Sequence, residues 1–426
     1  MNYIQKFKSQ TWYVKCFILL ILFRPVIDIF WWIRDIEPLL SPLNWAGVLP
    51  VVLLLVYMLK SKSDWLKTKD QILKVKGVKL FLAFSVLILM NSIGLLVNGF
   101  LFPDFSIFDS LAVSIKLISL PLFFLFLFTV IDEDVFDLIL KAFLLSTLFP
   151  FLMIIYEILI GPINPYTPGG RHFERFRGLY SDGINYTIYW MIGLITSTYF
   201  YIKNNSKSNL TFSILTFALC LIALSLFYLN QAVAYFIFTF LFTLVLIFVF
   251  RKNKIHFLAL ALSLTLIIVL VYIPGISKIS TLFQVDKEVI EGKLEIVHAA
   301  NGRVWIWVEG LKRLSELPVY TWLFGAALTK IESFNYMTGG AHNDYLRILY
   351  STGGTGLILY LLFIFGLFKG FGKLALHYKF LLISTICSLL LFSVTHTPVF
   401  YLSVVYFLTT VLARFLKTNI SANDTK

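Results

Sequence analysis

The sequence contains little cysteine, few charged residues and no segment of linker-like composition. Its three cysteines, Cys16, Cys220 and Cys387, lie far apart in apolar surroundings without a CxxC pair, which argues against disulfides, cysteine-bound metals and thiol redox chemistry. No run rich in Ser, Gly or Pro separates one part of the chain from another, and no internal repeat is visible. We therefore expect a single domain that spans residues 1–426.

Apolar residues, by contrast, are in great excess. Hydrophobic residues make up 59% of the chain, 43 residues are Phe, only 14% are charged, and the mean hydropathy is +0.84. A soluble core could not bury so much apolar surface, so a bilayer must be the solvent for much of the chain. Because a spanning helix needs roughly 20 largely apolar residues, the sequence predicts an all-α polytopic integral membrane protein with about twelve transmembrane helices. The predicted spans are 13–34, 42–59, 80–98, 109–131, 135–160, 184–202, 210–229, 231–250, 255–273, 348–368, 379–396 and 398–415.

The distribution of lysine and arginine predicts how these spans are oriented. With a cytoplasmic N-terminus, 22 basic residues fall in the inner segments and four in the outer segments other than 274–341, as expected because basic residues resist translocation. Both termini are therefore expected in the cytoplasm, and the first span, which lacks a small-residue cleavage site, is expected to remain as an uncleaved anchor. The formal net charge of +13 then reflects topology and indicates no nucleic-acid partner.

Two predicted outer segments are much longer than the other connections. They cover residues 161–183 and 274–341, and long ordered connections are uncommon unless they have a function. The second contains the sequence GRVWIWVEGLKRLSELP, which mixes apolar and basic residues and predicts a helix lying at the membrane interface. The alternative is a loop helix that is only anchored there by its tryptophans.

Three arginines lie in the first long segment, where positive charge opposes the orientation rule. We expect Arg171, Arg175 and Arg177 to have an anionic partner, because the planar guanidinium fork matches phosphate oxygens. A lipid-linked pyrophosphate is the natural candidate at a membrane surface. The alternatives are anionic lipid head groups, or pairing with Glu174 and Asp182.

A histidine stands at the outer mouth of the tenth predicted span, in the sequence GGAHNDYLRILYSTGGTG. A neutral imidazole at His342 could accept a proton from a sugar hydroxyl, and the carboxamide of Asn343 could orient one. Gly353 and Gly356 would let a neighbouring helix approach closely. The alternative is that His342 has a purely structural role. A second histidine, His396, lies at the outer end of the eleventh span, where it could face the same cavity or have a structural role.

The order of these motifs resembles one known family. His342-Asn343 is followed after nine residues by Gly-x-x-Gly, and the segments RFRGLYSDGINYTIYW, GRVWIWVEGL and WLFGAALTK precede it in order. This pattern, over residues 161–368, is similar to that of the superfamily of O-antigen ligases and O-antigen polymerases (Wzy). The twelve predicted spans extend the resemblance to the whole chain.

The resemblance implies a glycosyltransferase of the second GT-C subclass, metal-independent and without a cofactor, acting on the outer face of a bacterial inner membrane. The donor would be an undecaprenyl-pyrophosphate-linked oligosaccharide. Arg177 and Arg303 would bind the pyrophosphate and His342 would activate the acceptor hydroxyl, with inversion at the anomeric carbon. Further substrate-binding candidates are Arg171, Arg175, Asn343, Tyr180 and Asp182. A chain-length regulator and a flippase are the implied protein partners.

Polymerases and ligases of this superfamily differ in the acceptor, which is another lipid-linked repeat unit for a polymerase and the sugar core of lipid A for a ligase. Ligases often carry a Ser-Arg pair in the turn after the seventh span, whereas this chain has Asn230 and Gln231 there. Arg303 is followed four residues later by Trp307 instead of the leucine typical of ligases. Together with the sequence AHNDYLRILYSTGG around His342, these residues favour a polymerase.

Two other classes of function remain open. A transporter of lipid-linked sugars would place charges near the bilayer midplane; Arg24, Asp28 and Lys116 are the only charges well inside spans, and the spacing of the first two predicts that they pair. A metal-dependent GT-C enzyme would use an acidic pair in the first outer loop, a position that Asp35 and Glu37 occupy. That loop is short, so a solvated helix end is the simpler interpretation.

Overall fold

The computed structural model describes most of the chain. The described residues are 3–37, 40–60, 76–101, 107–164, 175–204, 209–250, 255, 258, 283–326, 342–368, 371–398 and 401–424. Arg171, the predicted span 255–273 and parts of both long outer segments lie outside these ranges.

The regular elements within these ranges are helical. In chain order they are α1 (Tyr3–Ser9), α2 (Trp12–Ile27), α3 (Trp31–Ile36), α4 (Pro42–Lys60), α5 (Lys76–Leu101), α6 (Ile107–Val130), α7 (Glu133–Ser146), α8 (Leu148–Ile160), α9 (Ile184–Lys203), α10 (Asn209–Leu229), α11 (Ala232–Phe250), α12 (Gln284–Ile290), α13 (Arg303–Ser315), α14 (Val319–Phe324), α15 (Asp344–Leu367), α16 (Leu376–Thr395) and α17 (Leu402–Asp424). Helices suit a bilayer because each one satisfies its own backbone hydrogen bonds.

Seven stretches of helix in the described chain are long and apolar enough to cross a membrane. They are Trp12–Ile33, Pro42–Lys60, Glu133–Ile160, Leu210–Leu229, Ala232–Val249, Asp344–Leu367 and Leu376–Thr395. The chain is therefore an all-helical polytopic membrane protein, as its composition predicts. The full count of twelve spans stays a prediction.

Helix α9 corresponds to the predicted span 184–202 but is less apolar than these seven stretches. It is not among the seven, yet every residue from Ile184 to Ile202 is buried. It packs against α7, α10, α11 and α16. Protein surrounds this helix on all sides, so its polar residues face neighbouring helices and need not match the lipid.

Aromatic side chains pack around helix α6. This helix contacts α4, α5 and α17. The ring of Phe123 lies 4.3 Å from that of Tyr406, and Phe124 lies 4.5 Å from Phe81, which itself contacts Phe363 at 5.0 Å. Tilted contacts of this kind stabilise aromatic pairs beyond the area they bury.

A helix, α13, is present where the sequence predicts an interfacial helix, and together with α14 it rests on the start of α15; its position at the interface stays a prediction. The hydroxyl of Tyr350 donates to the carbonyl oxygen of Gly310 at 2.5 Å. At Gly353 the backbone of α15 leaves helical geometry (φ 67°, ψ −176°), and an added Cβ would lie 2.3 Å from the carbonyl carbon and oxygen of Leu323 in α14. The close approach predicted at this glycine therefore occurs, whereas at Gly356 the nearest group is Thr352 of the same helix.

The loops of the candidate site meet at one end of the bundle. Here α8, α10 and α16 end and α9, α15 and α17 begin, and hydrogen bonds join these ends directly. We call this end of the bundle the loop end.

We predict that Gly353→Ala destabilises the protein. A side chain there would combine a backbone conformation that only glycine adopts readily, worth about 1–3 kcal/mol, with a clash against backbone atoms. The midpoint of thermal unfolding of the detergent-solubilised protein should fall. Gly366→Ala is the matched control, because nothing lies within 4 Å of its Cβ position, and it should unfold at or slightly above the parent temperature. Equal midpoints for the two variants would contradict the account of α14 packing.

Candidate functional site

A buried carboxylate holds the first long loop against the bundle. Glu157, near the end of α8, is completely buried. Its Oε1 accepts from the backbone N–H groups of Ile163 at 3.2 Å and Gly178 at 3.0 Å, and its Oε2 accepts from the hydroxyl of Tyr186 at 2.8 Å. These bonds tie both ends of the described loop to α8 and α9, so the backbone around residues 175–183 has a defined position.

Arg177 braces this loop from within. Its Nε donates to the carbonyl oxygen of Asn164 at 3.1 Å, its Nη2 to the side-chain oxygen of Asn164 at 2.8 Å, and its Nη1 to the carbonyl oxygen of Ser181 at 3.2 Å. Three guanidinium nitrogens are thus engaged by the loop. The predicted contact of Arg177 with pyrophosphate would have to use the second N–H of Nη1 or Nη2, or displace one of these bonds.

Arg175 and Arg303 lie close enough to influence each other's charge. Burial lowers the pKa of Arg303, the positive charge of Arg175 lowers it further, and the carboxylates of Asp182 and Asp286 act in the opposite sense. Bringing two guanidinium groups together in a partly buried position is unfavourable. The two carboxylates do not cancel this effect, since the pKa of Arg303 stays lowered, so a further anion beside the pair would be favourable.

Local contacts fix both arginines. Phe176, next to Arg175, stacks on Tyr228 with the ring centroids 4.7 Å apart, and its backbone N–H donates to the carbonyl oxygen of Tyr228. Arg303 is the first residue of α13, and the turn before it is held by Asp286, which accepts from the backbone N–H of Ala300 at 2.6 Å.

His342 stands immediately before α15, in a left-handed backbone conformation that is uncommon outside glycine (φ 46°). The next residue, Asn343, caps the helix: its side-chain oxygen accepts from the N–H of Leu346 at 3.0 Å, and its Nδ2 donates to the carbonyl oxygen of Val394 in α16 at 3.0 Å. Asn343 thereby joins two helix ends and positions the imidazole beside it. In this structure Asn343 acts as a cap.

Burial lowers the pKa of His342, and the charge of Arg303 lowers it further, while Asp182 partly offsets both effects. The imidazole is therefore neutral at physiological pH even though it neighbours a guanidinium group. A neutral imidazole can accept a proton, which is the property required of a general base.

His396 belongs to the same cluster, although its sequence left its role open. Burial lowers its pKa to about 3, and Arg303, His342 and Arg175 all lower it in turn. Its Nδ1 lies 3.1 Å from the hydroxyl oxygen of Thr395. In the sequence, only its position at the outer end of a predicted span suggested that His396 could belong to the site.

Asp182 supplies the negative charge of the cluster. It acts on Arg303, His342 and Tyr401, and its Oδ1 accepts from the side-chain amide of Gln231 at 3.2 Å. The hydroxyl of Thr187 donates to the other end of that amide at 3.4 Å. The uncharged turn at Gln231 therefore orients this carboxylate, a role the sequence did not indicate.

A buried ion pair and a buried tyrosine lie next to the site. Asp344 and Arg347, both buried, form an ion pair with Oδ1 and Nε 2.7 Å apart in the first turn of α15. Tyr180, proposed from its sequence position to contact substrate, is completely buried and packs against the rings of Tyr186 and Tyr189 at 5.5 and 6.0 Å. Its contacts are those of a packing residue.

The structure thus brings Arg175, Asp182, Arg303, His342 and His396 into one electrostatically coupled cluster at the loop end. Within the described ranges, no group of three or more His, Cys, Asp or Glu residues is arranged to hold a metal ion. The cluster can bind an anion and accept a proton in the same place. No family model matches this chain, and no curated protein matches it.

We predict that Glu157→Ala weakens the loop more than Glu157→Gln. Alanine leaves two backbone N–H groups and one hydroxyl without their acceptor, at about 1–3 kcal/mol for each buried group. Glutamine keeps one oxygen for the two N–H groups. Limited proteolysis at residues 161–183 and the thermal midpoint should both rank the proteins as parent, then Gln, then Ala. Identical behaviour of the two variants would argue against the role of these hydrogen bonds.

A second prediction concerns the charge on His342. Arg303→Gln should raise the pKa of His342 towards its ordinary value of about 6.5, because the guanidinium group disfavours the imidazolium. NMR titration of protein labelled at histidine, with the resonance assigned through His342→Gln, measures this shift. Lys312→Gln removes the same charge from the exposed side of α13 and should leave the pKa in place. If both variants shift it equally, the coupling is not local.

Proposed function

We propose that this chain is a polysaccharide polymerase of the O-antigen polymerase type, acting at the outer face of a bacterial inner membrane. It would transfer an undecaprenyl-pyrophosphate-linked glycan to the hydroxyl at the non-reducing end of another lipid-linked repeat unit. The observation that carries the proposal is the convergence of Arg175, Arg303 and His342 at the loop end. The resemblance of the motifs around His342 to that superfamily supports it.

In this proposal Arg303 and Arg175 bind the pyrophosphate of the donor. Their mutual repulsion disappears when a diphosphate lies between them, so the anion gains more from the pair than from either arginine alone. As the anomeric C–O bond breaks, negative charge grows on the leaving pyrophosphate. Guanidinium groups already in position at a poorly hydrated site stabilise that charge without having to reorganise.

His342 is the proposed general base. Its imidazole accepts the proton of the acceptor hydroxyl as the oxygen attacks the anomeric carbon from the face opposite the pyrophosphate, which inverts the configuration. Asp182 then lies where it stabilises the imidazolium that forms. A base of this kind typically contributes about 10²–10⁴-fold to the rate, and the positioning of the two substrates contributes more.

The proposal gives the neighbouring residues supporting roles. Arg177 braces the loop that carries Arg175, Asn343 caps the helix behind His342, and Gln231 orients Asp182. This differs from the roles implied by the family resemblance in one respect: Arg175 and not Arg177 is paired with Arg303 at the pyrophosphate.

The test combines a defined assay with a cellular one. Purified protein and a synthetic lipid-linked repeat unit should yield polymer, and His342→Ala should reduce the rate by at least about 100-fold. Arg303→Lys and Arg175→Lys should also lose most activity, because lysine keeps the charge but loses the fork that contacts two phosphate oxygens. His298→Ala, on an exposed part of the same loop region, is the matched control and should stay active.

In cells, deletion should leave single repeat units on the lipopolysaccharide, and His342→Ala should fail to restore long chains. Bare lipid A core together with accumulated lipid-linked polymer would instead identify a ligase. Normal chain-length ladders supported by His342→Ala would overturn the general-base role.

A further inference from the structure

A small enclosed pocket lies beside the site just described. Its volume is about 110 Å³, and it is formed where the end of α2, the start of α9 and the start of α17 meet. Ser181 and Asn185, which flank Asp182, line one wall, and Tyr401, which interacts with Asp182, lines another. We call it the Arg24 pocket, after the buried arginine in its wall.

An ion pair forms the polar side of the Arg24 pocket. Nη2 of Arg24 lies 2.5 Å from Oδ1 of Asp28, so the pairing predicted from their spacing is confirmed. The other oxygen of Asp28 accepts from the hydroxyl of Tyr189, which in turn lies 3.0 Å from the hydroxyl oxygen of Ser403. Asp28 is thereby held on both oxygens.

Arg24 is almost fully enclosed, with only 5% of its surface exposed. The hydroxyl of Tyr406, which donates to the carbonyl oxygen of Ala46, also interacts with its guanidinium group as an acceptor. Arg24 and Asp28 thus form a polar wall of the pocket that is fixed from behind.

The charge balance indicates what kind of ligand suits this pocket. Asp28 already neutralises Arg24, so a second anion would be repelled by the carboxylate about as strongly as the guanidinium attracts it. An uncharged polar ligand fits better. The other polar walls, from Asn185, Ser181 and Ser403, offer both donors and acceptors, which is the pattern that a ring bearing several hydroxyl groups requires.

The size of the pocket agrees with this chemistry. At roughly 10–15 Å³ for each water-sized probe position, 110 Å³ corresponds to about seven to eleven water molecules. That is close to the number of non-hydrogen atoms in one hexose. The indole of Trp31, fixed by its hydrogen bond to the carbonyl oxygen of Leu179 at 3.3 Å, adds a flat apolar wall of the kind on which sugar rings stack.

We propose that the Arg24 pocket binds one uncharged, hexose-sized sugar residue of the repeat unit and so determines which glycan the protein accepts. The inference rests on the proposed function, and it assigns to Arg24 and Asp28 a role in specificity away from the bond that is broken and formed. The hydroxyl groups of the sugar would contact the polar lining that Arg24, Asp28, Asn185 and Ser403 supply.

The test measures binding separately from transfer. The probes are the free oligosaccharide, released by mild acid from the lipid-linked repeat units of the source strain, and inorganic pyrophosphate. Both should raise the thermal midpoint of the parent protein and of His342→Ala, since a ligand of the folded state stabilises it. Arg24→Lys should lose the shift caused by the oligosaccharide and keep the shift caused by pyrophosphate. Lysine retains the pairing with Asp28 but not the second edge of the guanidinium fork.

Kinetics provides an independent readout. Arg24→Lys should raise KM for the lipid-linked repeat unit at least about tenfold while kcat falls less than about threefold, because the lost contact lies away from the reacting atoms. Asn185→Ala, which leaves the ion pair intact, should shift KM in the same direction and serves where Arg24→Lys does not fold. A loss of kcat at constant KM would assign the pair a purely structural role and overturn the inference.

The outcomes separate this inference from the proposed function. If transfer occurs but Arg24→Lys and Asn185→Ala bind the oligosaccharide like the parent, the inference is wrong and the function stands. If Arg24→Lys loses the pyrophosphate shift instead, the pocket is an anion site and the inference is equally wrong. If neither probe binds the parent and no transfer occurs, the proposed function fails as well.

Discussion

The carboxylate of Glu157 is the interaction on which the geometry of the loop end depends. It has no cationic partner in its hydrogen bonds; two backbone N–H groups and one phenol surround it. A buried charge is tolerated only when such donors replace its hydration. Because two of the donors belong to the loop, moving the loop would deprive the buried carboxylate of these hydrogen bonds, and this helps to hold Arg175 and Asp182 at the loop end.

At the loop end, charged arginine side chains and uncharged histidine side chains lie close together. In the proposed reaction, the loop end needs positive charge to hold a phosphate and an uncharged imidazole to accept a proton. Arginine keeps its charge in nearly any surroundings, whereas histidine loses its charge when burial and neighbouring cations both oppose protonation. Placing His342 and His396 beside Arg175 and Arg303 therefore produces both properties at once, and Asp182 moderates the effect.

The sequence predicted the strongly apolar spans, a helix at α13 and the pairing of Arg24 with Asp28, because each depends on a local pattern. His342 stood out by its place at the mouth of a predicted span, whereas Arg303 came from the family resemblance. The sequence could not separate Arg175 from Arg177, because the directions of two side chains in one loop depend on the backbone conformation of that loop. It named Gln231 and His396 without their contacts, because those contacts arise from which helix ends meet in space. It also predicted the span that corresponds to α9, but not that other helices enclose it.

The break at Gly353 has a mechanical consequence. It separates about two and a half turns of α15, from Asp344 to Thr352, from the remainder of the helix, and it seats them against the backbone of α14. The imidazole before this short piece consequently takes its position from two contacts, the packing of the piece on α14 and the hydrogen bond from Asn343 to α16. If the proposed function is correct, a substrate that shifts α14 would also shift the proton acceptor relative to the part of α15 beyond Gly353.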